Sequence, residues 1–117
     1  MKCKGGKSWT KRVVVSESTD RQFAWSSICS DSSGQYLGVT GLFDNNGPGC
    51  SIYISSSGGT SWTLSTAPRK YWDQLVSDST GTHLAVLYYM EFNGQQGGYI
   101  YISSNGNHHI IFISDYH

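Results

Sequence analysis

The side chains that could carry acid–base or metal chemistry are few in this 117-residue chain, and they are scattered. Glu17, Asp44, Asp73 and Glu91 are the carboxylates available for hydrolysis of a glycosidic bond, which needs two such groups facing each other across the sugar. No motif places any two of them together. Asp31 and Asp78 differ, because each stands in a Ser-Asp-Ser-(Ser/Thr)-Gly turn where Asp bonds its own backbone. Turn chemistry accounts for both. His108, His109 and His117 crowd the C-terminal end and invite a metal site. Adjacent side chains on a strand point to opposite faces, so His108 and His109 do not readily share one ion. Cys3, Cys29 and Cys50 have neither zinc-type nor redox-type spacing. One disulfide with a free thiol and three reduced thiols both stay open, and the compartment is undecided on cysteine usage. The chain is expected to hold no cofactor, no metal and no catalytic residue.

Composition narrows the class further. Charged residues are 14% of the chain, against about 25% in ordinary soluble domains. Ser, Thr, Asn, Gln and 14 Gly carry the polar load, and Tyr (8) and Trp (4) are plentiful. That is the composition of an all-β protein with many Gly- and Ser-rich turns. Eight basic and eight acidic residues cancel to a formal net charge of zero, so the basic face of a nucleic-acid binder is missing. The one basic cluster, Lys2, Lys4, Lys7, Lys11 and Arg12, reads as a solvated end. No apolar run approaches the roughly 18 residues of a membrane-spanning helix. The N-terminus has the charge of a signal peptide without the apolar stretch that should follow.

The elements that must position any site come from a repeat. A shift of 47 residues lays Trp25-Ser-Ser-Ile-Cys-Ser-Asp-Ser-Ser-Gly34 over Trp72-Asp-Gln-Leu-Val-Ser-Asp-Ser-Thr-Gly81, and Leu37-Gly-Val39 over Leu84-Ala-Val86. After one inserted residue, Ile52-Tyr-Ile-Ser-Ser56 falls on Ile100-Tyr-Ile-Ser-Ser104. Self-similarity at this period marks propeller blades or solenoid units. Strands are expected at 26–30, 36–40, 51–55 and 61–65 in one unit, and at 73–77, 83–89, 99–103 and 110–114 in the other. Four short antiparallel strands joined by hairpins make one blade of a β-propeller. The connections 41–49 and 91–98 differ between units and are expected to be loops on a single face.

Gly5-Gly6-Lys7-Ser8-Trp9-Thr10 matches Gly58-Gly59-Thr60-Ser61-Trp62-Thr63 as well. Trp9 to Val15 is therefore expected to be a fourth strand without the three that should precede it. The organisation expected is an orphan strand and linker at 1–24, a first blade at 25–71 and a second at 72–117. Two blades cannot close a ring, and repeat units need neighbours over their faces. Further blades, in the same chain or another, are implied. A piece of a longer propeller is the first expectation, and obligate association is the second.

The segment Ser55-Ser56-Ser57-Gly58-Gly59-Thr60-Ser61-Trp62 resembles the Asp box of sialidase-type propellers, the bacterial neuraminidase repeat. Ser55, Gly59, Ser61 and Trp62 fall on the Ser-x-Asp-x-Gly-x-Thr-Trp pattern, with Ser57 where the Asp should be. In the last copy Ser103 matches, Asn105 can do the bonding of the Asp, and Ile110 replaces the Trp. The resemblance implies that the third position accepts backbone amides, Gly59 supplies a positive φ, and Trp62 packs under the turn.

It also implies a test for activity. Sialidases of this fold grip a carboxylate with three arginines, and Arg12, Arg21 and Arg69 do not stand early on inner strands where those belong. Some Asp-box propellers are accessory or assembly subunits of photosystem complexes, and this chain is similar to them in lacking catalytic residues. A non-catalytic protein-binding module is the first reading that follows. A glycan-binding module that has lost its chemistry, and a glycosidase piece whose catalytic residues lie in other blades, are the alternatives. An extracytoplasmic or organellar location rests on the resemblance alone. The tryptophans are repeated and are expected in the core. The unrepeated aromatics Phe43, Tyr71, Tyr88, Tyr89 and Phe92 are the candidates for a partner or glycan surface.

Overall fold

The two Trp-led segments share their strand order and the register of their first two strands. A computed structural model describes residues 6, 8–14, 24–44, 47–92, 95–103 and 110–112, all strand, turn or extended chain with no helix among them. The first segment gives β1 (Ala24–Ser30), β2 (Leu37–Asp44), β3 (Gly47–Pro48), β4 (Tyr53–Ser55) and β5 (Thr63–Leu64). They form one antiparallel sheet in the order β1-β2-β4-β5, with β3 paired to the end of β2. The second segment gives β6 (Trp72–Ser77), β7 (Leu84–Phe92), β8 (Gln95–Ser103) and β9 (Ile110–Phe112), paired consecutively in a second antiparallel sheet. No helix among the described residues is long and apolar enough to cross a membrane.

Register repeats with the sequence. Ser30 faces Leu37 as Ser77 faces Leu84, and Trp25 faces Gly41 as Trp72 faces Tyr88. Both first strands carry an irregularity beside the Trp, between Trp25 and Ser27 and between Trp72 and Gln74. A bulge there bends the strand and re-aims the Trp. Each ring then meets the same partner edge-on: Trp25 meets Tyr53 at 6.0 Å and 85°, and Trp72 meets Tyr101 at 5.2 Å and 86°.

The turns after β1 and β6 also match. The Asp31 carboxylate accepts from the amides of Gly34 (2.9 Å) and Tyr36 (3.2 Å). That of Asp78 accepts from Thr80 and Thr82 (both 3.2 Å) and from His83 (3.3 Å). Gly34 and Gly81 close the two turns at φ 79° and 77°, a left-handed conformation that costs other residues.

The sheets stack face to face. Trp72, Leu75, Leu84 and Val86 of the second sheet pack on Ile52 and Ala67, with Cys29 and Ile54 against them. Each such side chain removed from water stabilises by roughly 1.5–3 kcal/mol. Hydrogen bonds tie the sheets as well: Ser27 Oγ accepts from the Leu75 amide at 3.0 Å, and Ser26 Oγ donates to the Trp72 carbonyl at 3.0 Å. Side chains alternate along a strand, so Val39 and Tyr53 point away from the second sheet. There they form a smaller cluster with Cys50, against which Val14 and Trp62 pack.

Three expectations change. Trp9 to Val14 form no strand and pair with none among the described residues. The Trp9 ring is almost fully exposed, whereas Trp72 is buried, so repetition does not guarantee a core position. The expected loop at 91–98 is strand: β7 and β8 pair without interruption from Leu84↔Ser103 to Phe92↔Gln95. The dipeptide between them is Asn93-Gly94, the strongest short hairpin signal. Similarly, β2 runs on through Asp44, and β3 fills part of the other expected loop.

Candidate functional site

Phe43, Tyr71 and Tyr88 stand at one end of the sheets, opposite the Asp31 and Asp78 turns. Phe43 near the end of β2 bridges to Gly49. Gly49 in turn lies beside Lys70: a Cβ built there would stand 3.5 Å from the Lys70 amide nitrogen. Cys50 and Lys70 exchange both backbone bonds, at 2.9 and 3.3 Å. Arg69 pins the same corner by donating to the Gly49 carbonyl at 2.8 Å. This is a structural task, far from gripping a substrate carboxylate.

From that corner the aromatics fan out. The Lys70 ammonium stands 5.0 Å from the centre of the Tyr88 ring, a cation–π distance. Tyr88 stacks on Tyr99 at 5.9 Å and 13°, and leans on buried Trp72 at 6.2 Å. Phe43 and Tyr71 are exposed, and Tyr88 is half-buried. The side chains of Tyr89 and Phe92 lie outside the described ones, although both residues extend β7 beyond this cluster. The arrangement offers two exposed rings, Phe43 and Tyr71, beside the Tyr88 phenol and the Lys70 cation. Exposed tyrosine is among the side chains that anchor protein contacts. Lys70 was not legible as part of it in the sequence. Its signal was only its place beside Tyr71, in the link that joins the two sheets.

At the opposite end the Ser55–Trp62 turn is held by its own hydroxyls, with Ser57 accepting one backbone amide. Ser55 Oγ accepts from the amides of Ser57 (3.2 Å) and Gly59 (2.9 Å), and Ser57 Oγ accepts from Ser61 (2.9 Å). The Trp62 indole donates to the Gly59 carbonyl at 3.0 Å, just as Trp9 donates to Gly6 at 3.0 Å, with both glycines at φ 91°. Ser103 is buried as Ser55 is. Asn105, Cys3, Glu17, Arg21, His108, His109 and His117 lie outside the described residues.

A cleft of about 490 Å³ opens between the turn ends of the sheets, lined by the hydroxyl residues Ser61, Thr63, Thr80 and Thr82 and by Cys29. Burial pushes the Cys29 thiol up, and a hydrogen bond with the Gly38 backbone offsets this in part. It is a thiol, not a nucleophilic thiolate, at neutral pH. The Asp78 carboxyl is held far below the usual range, chiefly by His83, whose Nδ1 stands 2.8 Å away. For Asp31 desolvation works the other way, but the Ser33 hydroxyl and the amides of Tyr36, Gly34 and Ser33 together outweigh it and lower the carboxyl. Both carboxylates are engaged by their turns. Among the described residues no three His, Cys, Asp or Glu side chains group as metal ligands.

No family model, no curated protein and no solved structure matches the chain.

Proposed function

We propose that this chain is a two-blade stretch of an Asp-box-like β-propeller that works as a non-catalytic protein-binding module, an accessory or assembly subunit of a larger complex. The observation that carries the reading is the aromatic end. Exposed Phe43 and Tyr71, with Tyr88 beneath Lys70, converge there on one corner held by Gly49, Cys50 and Arg69. Phe43 and Tyr88 stand on strands β2 and β7, and rings fixed on strands lose little entropy when a partner covers them. The matching registers, bulges and turns of the two sheets support the blade assignment. The occupied turn carboxylates and the neutral, hydroxyl-lined cleft favour binding over hydrolysis.

The test is co-purification from the source with a tagged chain. A partner at fixed stoichiometry is expected, and a Phe43→Ser/Tyr71→Ser variant of wild-type melting behaviour should lose it. Retention of that partner by the variant, or glycan-array binding with no protein partner, overturns the reading.

A further inference from the structure

The two sheets match in sequence and local structure yet differ in what covers them. Trp72 is 0% exposed and Leu75 2%, whereas their equivalents Trp25 and Ile28 are 41% and 63% exposed. A Cβ built on Gly81 would meet Tyr36 at 3.0 Å and Asp31 at 3.3 Å, whereas one on Gly34 meets nothing within 4 Å. At these three pairs the second sheet has a neighbour that the first lacks, whereas Val39 and Tyr53, equivalent to Val86 and Tyr101, are buried on the first sheet as well. That neighbour is the first sheet's own face carrying Cys29, Gly38 and Ile54.

The equivalents of Cys29, Gly38 and Ile54 are Val76, Ala85 and Ile102. They form one row across the outer face of the second sheet, since Val76 pairs with Ala85 and Ala85 with Ile102. Leu87 pairs with Ile100 in the next row on that face. Val76, Leu87 and Ile100 are exposed. Among the described residues two apolar patches are thus exposed, Trp25 with Ile28 on the first sheet and Val76 with Leu87 and Ile100 on the second, and they are equivalent to parts of the two sides of the contact already made between the sheets. Val14 and Trp62 cover the Val39–Tyr53 part of the first sheet's open face, which leaves the part at Trp25 and Ile28.

We propose that a second copy of this chain docks head to tail, its Trp25–Ile28 face on the Val76–Leu87 face of the first. The internal contact shows that these residue types interlock in this sheet geometry, and its polar links can recur. Ser27 Oγ accepts from the Leu75 amide (3.0 Å) and lies 3.4 Å from the Leu75 carbonyl. Its equivalent is Gln74, whose side-chain amide can accept from the Ile28 amide and donate to the Ile28 carbonyl. The Ser32 amide donates to the Ser79 carbonyl at 2.8 Å. Those two positions are themselves equivalent, so the Ser79 amide of one copy meets the Ser32 carbonyl of the next. One link is lost, because Asp73 stands where Ser26 donates to the Trp72 carbonyl. The two faces differ, so the contact is heterologous, and copies add in one direction until rotation closes a ring. The inference rests on the equivalence of the two sheets, not on the aromatic end being a partner surface.

Sedimentation velocity over a dilution series tests it. The wild-type mass should rise with concentration past that of a dimer, from 12.9 kDa for one chain. Val76→Asp/Leu87→Asp blocks one face and Ile28→Asp the other, so each variant alone should stay monomeric. Mixed together, they should form a one-to-one pair of about twice 12.9 kDa and nothing larger. If either aspartate variant loses its cooperative melt, Val76→Ser/Leu87→Ser and Ile28→Ser give the same readout. Phe43→Ser/Tyr71→Ser should associate like wild type, which separates this contact from the aromatic end. A wild type monomeric throughout, a face variant that still self-associates, or a mixture that fails to pair overturns the proposal.

Discussion

Leu75 and Ile28 occupy the same position of the repeat, on equivalent strands of equivalent sheets, so truncating each to Ala isolates the effect of the stacked neighbour. Each change deletes three carbons, a transfer loss of roughly 2.4 kcal/mol when the side chain is fully buried, at about 0.8 kcal/mol per methylene. Leu75 is 2% exposed, and its Cδ2 lies only 3.0 Å from a Cβ built on Gly38. Strand backbone on both sides keeps that site from collapsing, so a cavity penalty adds and the total reaches about 3–4 kcal/mol. Ile28 is 63% exposed, which cuts the same transfer loss to about 1 kcal/mol and leaves no cavity. For a chain of this length about 4 °C of melting temperature goes with each kcal/mol. Thermal melts at the lowest workable protein concentration should therefore fall by about 12–16 °C for Leu75→Ala and about 4 °C for Ile28→Ala. Equal losses would refute the stacking of the second sheet's Leu75 face on the first sheet.

Other outcomes follow from the turns and thiols. Asp31 and Asp78 have carboxyls depressed in the folded chain, so their stabilisation is present above the unfolded value of about 3.9 and is lost as pH falls below it. Asp31→Asn/Asp78→Asn should be less stable than wild type at pH 7 in urea, with the gap narrowing steadily below about pH 4. Ser57→Asp should raise the melting temperature by about 2–4 °C, because a carboxylate accepts the Ser61 amide more strongly than a hydroxyl does. A drop would mean that Ser55 and Ser61, at 3.4 and 3.0 Å, leave no room for it. Brief alkylation at neutral pH, read by peptide mapping, should spare Cys50, which is fully buried, and label Cys29 slowly, faster as pH rises.

Local structure was legible over the first two strands of each unit, where the sequence repeats most closely. Trp25 and Trp72, Asp31 and Asp78, and Leu37 and Leu84 share bulge, turn and register because the same short-range chemistry acts on each. Exposure was not legible, because it depends on what lies across the sheet. Trp25 and Trp72 sit in the same local geometry, and only one has another sheet over it. The length of the β7–β8 hairpin was obscured by alignment with 41–49, where Pro48 and a short β3 interrupt the pairing that Asn93-Gly94 promotes in the second unit. The aromatic end was half legible. Phe43, Tyr71 and Tyr88 stood out by breaking the repeat, but the place of Lys70 over the Tyr88 ring is fixed by its backbone exchange with Cys50, a contact 20 residues apart in sequence that no local signal announces.

The central claim is that two equivalent sheets stack through Leu75 against the β1–β2 face. Nuclear Overhauser measurements on isotope-labelled protein test it directly. The Leu75 methyls should show contacts to the Gly38 α-protons and the Cys29 β-protons, alongside the cross-strand contacts of Val86 with Leu75 and Tyr101. Spectra with both sets of cross-strand contacts but no contact from Leu75 to Gly38 or Cys29 would contradict the stacked arrangement.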